Sequence, residues 1–161
     1  IEYYINRFGD VEGPLLYKKR VLNFITSNLG ITKSKSSTII ETYLNELNQI
    51  YKNEYLISCL TNDNIKKNYI IDYYLPNYNI IIEFYGDYWH ANPKIYKEDY
   101  YNKTMKLFAK EIREKDIKRI NCIKKTLDCT IIIIWESSRI TAEDLKNLID
   151  NYKDKKTVIY Y

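Results

Sequence analysis

Apolar residues along this chain follow two spacings. Between residues 55 and 85, three short runs rich in Ile and Tyr (55–60, 69–75 and 80–85) are separated by polar or proline-containing turns at 61–67 and 76–79. That pattern predicts three strands. The 76–79 connection is so short that its two flanking strands should form an antiparallel hairpin. A fourth run, TIIIIW at 130–135, predicts a buried strand. Helical spacing governs the remainder. Ile40, Leu44, Leu47 and Tyr51 form a stripe across 38–52. A longer stripe through Tyr101, Met105, Phe108, Ile112, Ile120, Ile123 and Leu127 predicts one helix over 96–127, with Asp116 as an acid on its apolar face. Further helices are predicted at 15–28 and 141–152. Residues 1–20 read as a short polar module broken at Gly13-Pro14, and 30–37 (GITKSKSS) as a linker whose serines suit a helix N-cap. The order helix–β–β–β–helix–β predicts an α/β fold, a mixed sheet of about four strands flanked by helices. It occupies 36–161, after a helical lead-in at 1–35.

Composition narrows the function classes. A chain of 161 residues, 45% hydrophobic, is enough for one core without disulfides. Its three cysteines are an odd number without CxxC spacing, which argues against a disulfide scaffold or zinc ribbon and for a reducing, intracellular compartment. No apolar run approaches the roughly 20 residues that span a membrane. The net charge of +4 permits nucleic acid without requiring it, and the Lys, Asn, Ile and Tyr bias weakens any argument from lysine count. Distribution says more. Residues 94–125 hold eleven Lys/Arg against five Asp/Glu. This local surplus suits a polyanion; the alternative is a solvated helix face.

Candidate chemistry centres on IIIEFYGDYWH, residues 80–90. Side chains alternate across a strand, so a hairpin around 76–79 can turn Asp72 and Glu83 to the same side. Two such carboxylates repel unless a cation lies between them. Oxygen ligands on neighbouring strands suit Mg²⁺ (or Mn²⁺). His90, the only histidine, follows where the chain leaves the sheet, and a neutral imidazole there can take a proton from water. Asp116 can reach the same place from the long helix. Each element also has a structural reading: a paired charge, a packed histidine, a surface salt bridge.

Asp72 together with YYLPNYNIIIEFYGDYWH resembles the core motif of the very-short-patch repair endonucleases and related phage-type homing endonucleases, within the PD-(D/E)xK group. REKDIKRINCIKKTLDCTIIIIWE (113–136) resembles the same family's basic helix, following strand and terminal Trp-Glu. The resemblance covers roughly 36–139. It implies a restriction-endonuclease-like core and Mg²⁺-dependent hydrolysis of double-stranded DNA, in a phage or viral setting. It also implies that Asp72 is the central metal ligand, that the Phe84 carbonyl is another, and that His90 and Asp116 act beside a metal-bound water. Glu83 restores the second acid of the wider pattern. Glu41 matches the glutamate of the family's N-terminal helix; periodicity alone does not separate it from Glu46. Lys94, Lys103, Lys106, Lys110 and Arg113 would hold backbone phosphates. Three departures bear on the site. Tyr85 replaces the lysine of the wider pattern. Ala91-Asn92-Pro93 stands where the repair enzymes bind zinc, so no zinc is expected. Asp87 can tune the site or cap a turn. YYINRFGDVEGPLLYKKR resembles a short module found upstream of such nucleases, which implies a DNA-reading region before Ile1. A mismatch-directed nicking enzyme and a non-catalytic nucleic-acid-binding module remain the alternatives, and a homo-oligomer stays open.

Overall fold

The computed structural model describes residues 1–28, 35–61 and 64–161. The chain divides into two compact units, Ile1–Lys35 and Ser36–Tyr161. The first contains α1 (Glu2–Asn28), which breaks at Gly9 with φ 80°. The expected break at Gly13-Pro14 is therefore four residues late. Pro14 lies inside the second helical segment, five residues after the break. Gly13 faces the first segment so closely that a Cβ there would lie 2.5 Å from the Tyr4 carbonyl oxygen. Arg20 donates to the Tyr4 hydroxyl at 2.7 Å and helps close this hairpin. Most of the linker expected at 30–37 lies outside the described residues, as does the middle of the 61–67 turn.

The second unit is a mixed α/β layer structure. It begins with α2 (Lys35–Glu46), then β1 (Lys52–Leu60), β2 (Lys66–Leu75) and β3 (Ile80–Tyr85). After a long connection come α3 (Ala109–Leu127), β6 (Thr130–Trp135), α4 (Ala142–Tyr152) and β7 (Val158–Tyr160). The main sheet runs β1-β2-β3-β6-β7. β1, β2 and β3 are antiparallel neighbours, while β3–β6 and β6–β7 are parallel. Five strands replace the expected four, because VIY at 158–160 is too short to signal a strand before β6 offers it a partner. All three cysteines are free and buried. No helix among the described residues is long and apolar enough to cross a membrane.

The isoleucine runs have a direct cause. β3 and β6 are central and covered on both faces, so neither face tolerates water. Ile80, Ile82, Ile132 and Ile134 pack with Ile40 and Leu44 of α2 and Leu145 and Ile149 of α4. Ile81, Ile131 and Ile133 turn the other way and pack with Ile120 and Ile123 of α3. Alternation therefore sends Glu83, two residues after Ile81, toward α3.

The expected helix over 96–127 is shorter. Residues 86–100 form turns, followed by a small antiparallel ladder of β4 (Tyr101–Asn102) and β5 (Leu107–Phe108), and α3 starts only at Ala109. Buried asparagines account for the difference. Asn102 accepts from the Thr104 and Met105 backbone N–H groups and donates to the Tyr88 carbonyl. Such side chains compete with helical backbone bonding. Glu111 then accepts the Phe108 N–H at 2.7 Å, which marks the helix start. Tyr101, Met105 and Phe108, expected inside, are exposed.

Candidate active site

β2 brings Asp72 to the site through an irregularity. Ile71 and Tyr73, two residues apart on one strand, bury into opposite clusters. Regular alternation breaks between them, and the β2–β3 ladder ends at the Tyr73–Ile82 pair. One step further, Asp72 stands opposite Glu83. The Phe84 N–H has no ladder partner there and donates to Asp72 Oδ2 at 2.7 Å. Burial pushes the Asp72 carboxyl above its ordinary value, against the Phe84 hydrogen bond and the nearby Arg119 and His90.

Glu83 is only 3% exposed and is held by Arg119 of α3, whose Nη2 lies 2.7 Å from Glu83 Oε1. The same Nη2 also donates to the Ile70 carbonyl at 2.7 Å, clamping β2, β3 and α3 together. Burial pushes the Glu83 carboxyl up to about 8, against Arg119 and helped by Asp72. Burial works most strongly against the Arg119 charge, yet Glu83, Tyr85 and Asp72 together hold the guanidinium above its ordinary value.

His90 ends a tight turn in which its N–H bonds to the Gly86 carbonyl at 3.0 Å. Its ring stacks on Tyr85 with centroids 3.7 Å apart and planes 13° apart. Its Nδ1 is 2.9 Å from Asp116 Oδ2, one turn before Arg119 on α3. Their side chains are 28% and 21% exposed; in the other pair the Arg119 side chain is 20% exposed and only the Glu83 carboxylate is buried, so the difference in access lies at the acid. A pocket of about 380 Å³ opens beside His90, lined by Tyr85, Trp135 and Tyr160 among others.

The structure thus brings Asp72, Glu83, His90 and Asp116 into one neighbourhood. Glu41 stands on α2, in the layer across the sheet from α3, where the Tyr51 hydroxyl donates to it at 3.4 Å. Glu46 is exposed at the end of α2. Lys94, Lys103, Lys106 and Lys110 are exposed, but the first three belong to the turns and small ladder rather than to a helix. Arg113 instead donates to the Ala91 and Tyr96 carbonyls at 2.9 and 3.1 Å, and so braces the 86–100 connection. Asp87 ties that connection too, accepting from Asn92 and Ser137. Arg119 escaped sequence reasoning. Its signal was the i, i+3 spacing from Asp116, which puts both on one helix face.

Among the described residues, no three His, Cys, Asp or Glu side chains are grouped to hold a metal. Mg²⁺ asks less of a protein: one or two carboxylates, with water and substrate phosphate completing the shell. Asp72, beside the point where the β2–β3 ladder ends, fits that sparse requirement. Glu83 does not, while Arg119 occupies it. The chain matches no protein-family model and no curated protein sequence.

Proposed function

We propose that this chain carries the cutting domain of a Mg²⁺-dependent DNA endonuclease of the homing type, on a restriction-endonuclease-like core. The observation that carries the reading is the 2.9 Å contact between the single histidine and Asp116, in the same neighbourhood as Asp72. Asp116 fixes the imidazole through Nδ1 and leaves Nε2 to take a proton from water. Asp72 and the Phe84 carbonyl would hold the metal. Magnesium, when bound, supplies positive charge at the scissile phosphate. Arg119 contributes a fixed positive charge behind Glu83 and keeps β2 and β3 in register with α3. The exposed lysines at 94, 103, 106 and 110 suit backbone phosphates, which position a duplex without reading its sequence.

Nucleic-acid binding without cleavage is the second reading, and one observation favours it. Arg119 already neutralises Glu83, much as a metal would. Supercoiled plasmid incubated with Mg²⁺ or with EDTA separates the two. The nuclease reading expects nicking or linearisation with Mg²⁺ only. It also expects Asp72→Asn to lose cleavage while a gel shift still shows DNA binding. Undiminished cleavage by Asp72→Asn would remove the metal assignment, and binding without cleavage by the wild type would favour the second reading.

A further inference from the structure

We propose that the pocket beside His90 receives a single nucleobase, unstacked from the duplex next to the bond being cut. The proposal rests on the nuclease reading above. At about 380 Å³ the pocket falls within the range of small-molecule sites. Its walls are largely rings, from Tyr85, Trp135, Tyr160 and Tyr161. The Tyr85 ring is fixed in advance, stacked on His90 and edge-on to Trp135 at 5.4 Å. A flat ligand therefore meets a preorganised surface and orders little on binding.

The Tyr85 hydroxyl, a buried polar atom without a hydrogen-bond partner among the described residues, is closed off from solvent, so a ligand in the pocket meets the rings and not this oxygen. The ligand class follows from the neighbours. Aromatic walls, Lys94 and Arg113 in the lining and the adjacent His90–Asp116 pair suit an aromatic heterocycle joined to a phosphodiester. A base within a duplex hides its faces and cannot enter; an extruded base can. Ring stacking tolerates every base, so this pocket selects unpaired bases rather than a particular one.

The test compares affinities in EDTA, where no cleavage occurs. Anisotropy titrations would use a fully paired duplex and the same duplex with one unpaired base. The wild type should prefer the unpaired base by about 10-fold or more, since extrusion is already paid for. Ile117 lines the pocket and is 49% exposed, so Ile117→Trp fills it from a site that does not threaten folding. That variant should bring the affinity ratio toward one. Tyr85→Phe removes only the enclosed hydroxyl and should leave the ratio within about 2-fold of the wild type. Equal affinities for the two duplexes, with plasmid cleavage intact, would overturn the pocket and leave the nuclease reading standing. A preference undiminished by Ile117→Trp would overturn the assignment to this pocket. Loss of both DNA binding and cleavage in the wild type would overturn both.

Discussion

Two charge pairs project from neighbouring turns of α3, and they differ in access to water. In Glu83–Arg119, 2.7 Å long, the carboxylate is buried between helix and sheet, although the arginine side chain that reaches it is partly exposed. His90–Asp116 has a similar length, 2.9 Å, but opens on the pocket. The buried carboxylate is already held by Arg119, which also holds the Ile70 carbonyl, so this pair acts as a clamp. His90 and Asp116 are both partly exposed and line the pocket, so theirs is the pair suited to chemistry. Burial, more than residue type, separates their roles.

The largest effect is expected from breaking the clamp. Arg119→Met leaves Glu83 buried without its partner and should destabilise the fold by about 3–5 kcal/mol at pH above about 8, where Glu83 ionises beside Arg119. The loss should grow at higher pH, because an unpaired Glu83 can stay inside only when protonated. Urea melts at several pH values measure this. A loss below about 1 kcal/mol at every pH would show that the pair is not structural.

Breaking the open pair should instead affect rate. His90→Ala should slow cleavage by roughly 10²–10⁴-fold, the range for losing a positioned acid–base group. Loss of the ring stack on Tyr85 should cost stability only about 1 kcal/mol. Single-turnover cleavage and thermal melts, run together, separate the two effects. Cleavage within a few-fold of wild type would reduce His90 to a packing residue.

The third prediction concerns the clamp's own titration. Burial pushes Glu83 to about 8, whereas an unfolded glutamate titrates at about 4.3. Between those values the folded protein holds a proton that the unfolded chain has released. Stability contributed by this group is therefore full below the unfolded value and lost as pH rises through about 8. The melting temperature should fall across that window, and Glu83→Gln should flatten the fall. An identical slope in both proteins would assign the pH dependence to other groups.

The smallest change expected is a gain. Tyr85 lies between the two pairs, and burial, with Glu83 nearby, raises its phenol above the ordinary value. Removing its unpartnered hydroxyl in Tyr85→Phe should stabilise the protein by about 1 kcal/mol. A loss of that size would mean that the hydroxyl has a partner in solution.

Strands were easier to read than connections. The runs at 80–85 and 130–135 form strands with those bounds, because central strands buried on both faces carry an unbroken apolar signal. The closing helix follows Thr141, whose hydroxyl accepts from the Asp144 N–H in a local capping box. The stretch from Tyr96 to Phe108 misled because its apolar residues recur at helical spacing. Asn102, with no period to betray it, captures the backbone there and stops a helix from forming.

Local pattern alone determined that Ile81 and Glu83 share a strand face, that an acid falls on the α3 stripe, and that one histidine follows the β3 strand. These depend on neighbours in sequence, and side-chain period encodes them. Only the tertiary structure decided which charge meets which. Arg119 reaches Glu83 across 36 positions and Asp116 reaches His90 across 26. Both contacts depend on the height at which α3 starts, and that height is set by the folded 86–108 connection through Asn92, Asn102 and Arg113. A shift of one helical residue rotates α3 by about 100° and would turn Asp116 and Arg119 away from both partners. The charges are written in the sequence, but their pairing depends on a helix start that packing of a distant loop establishes.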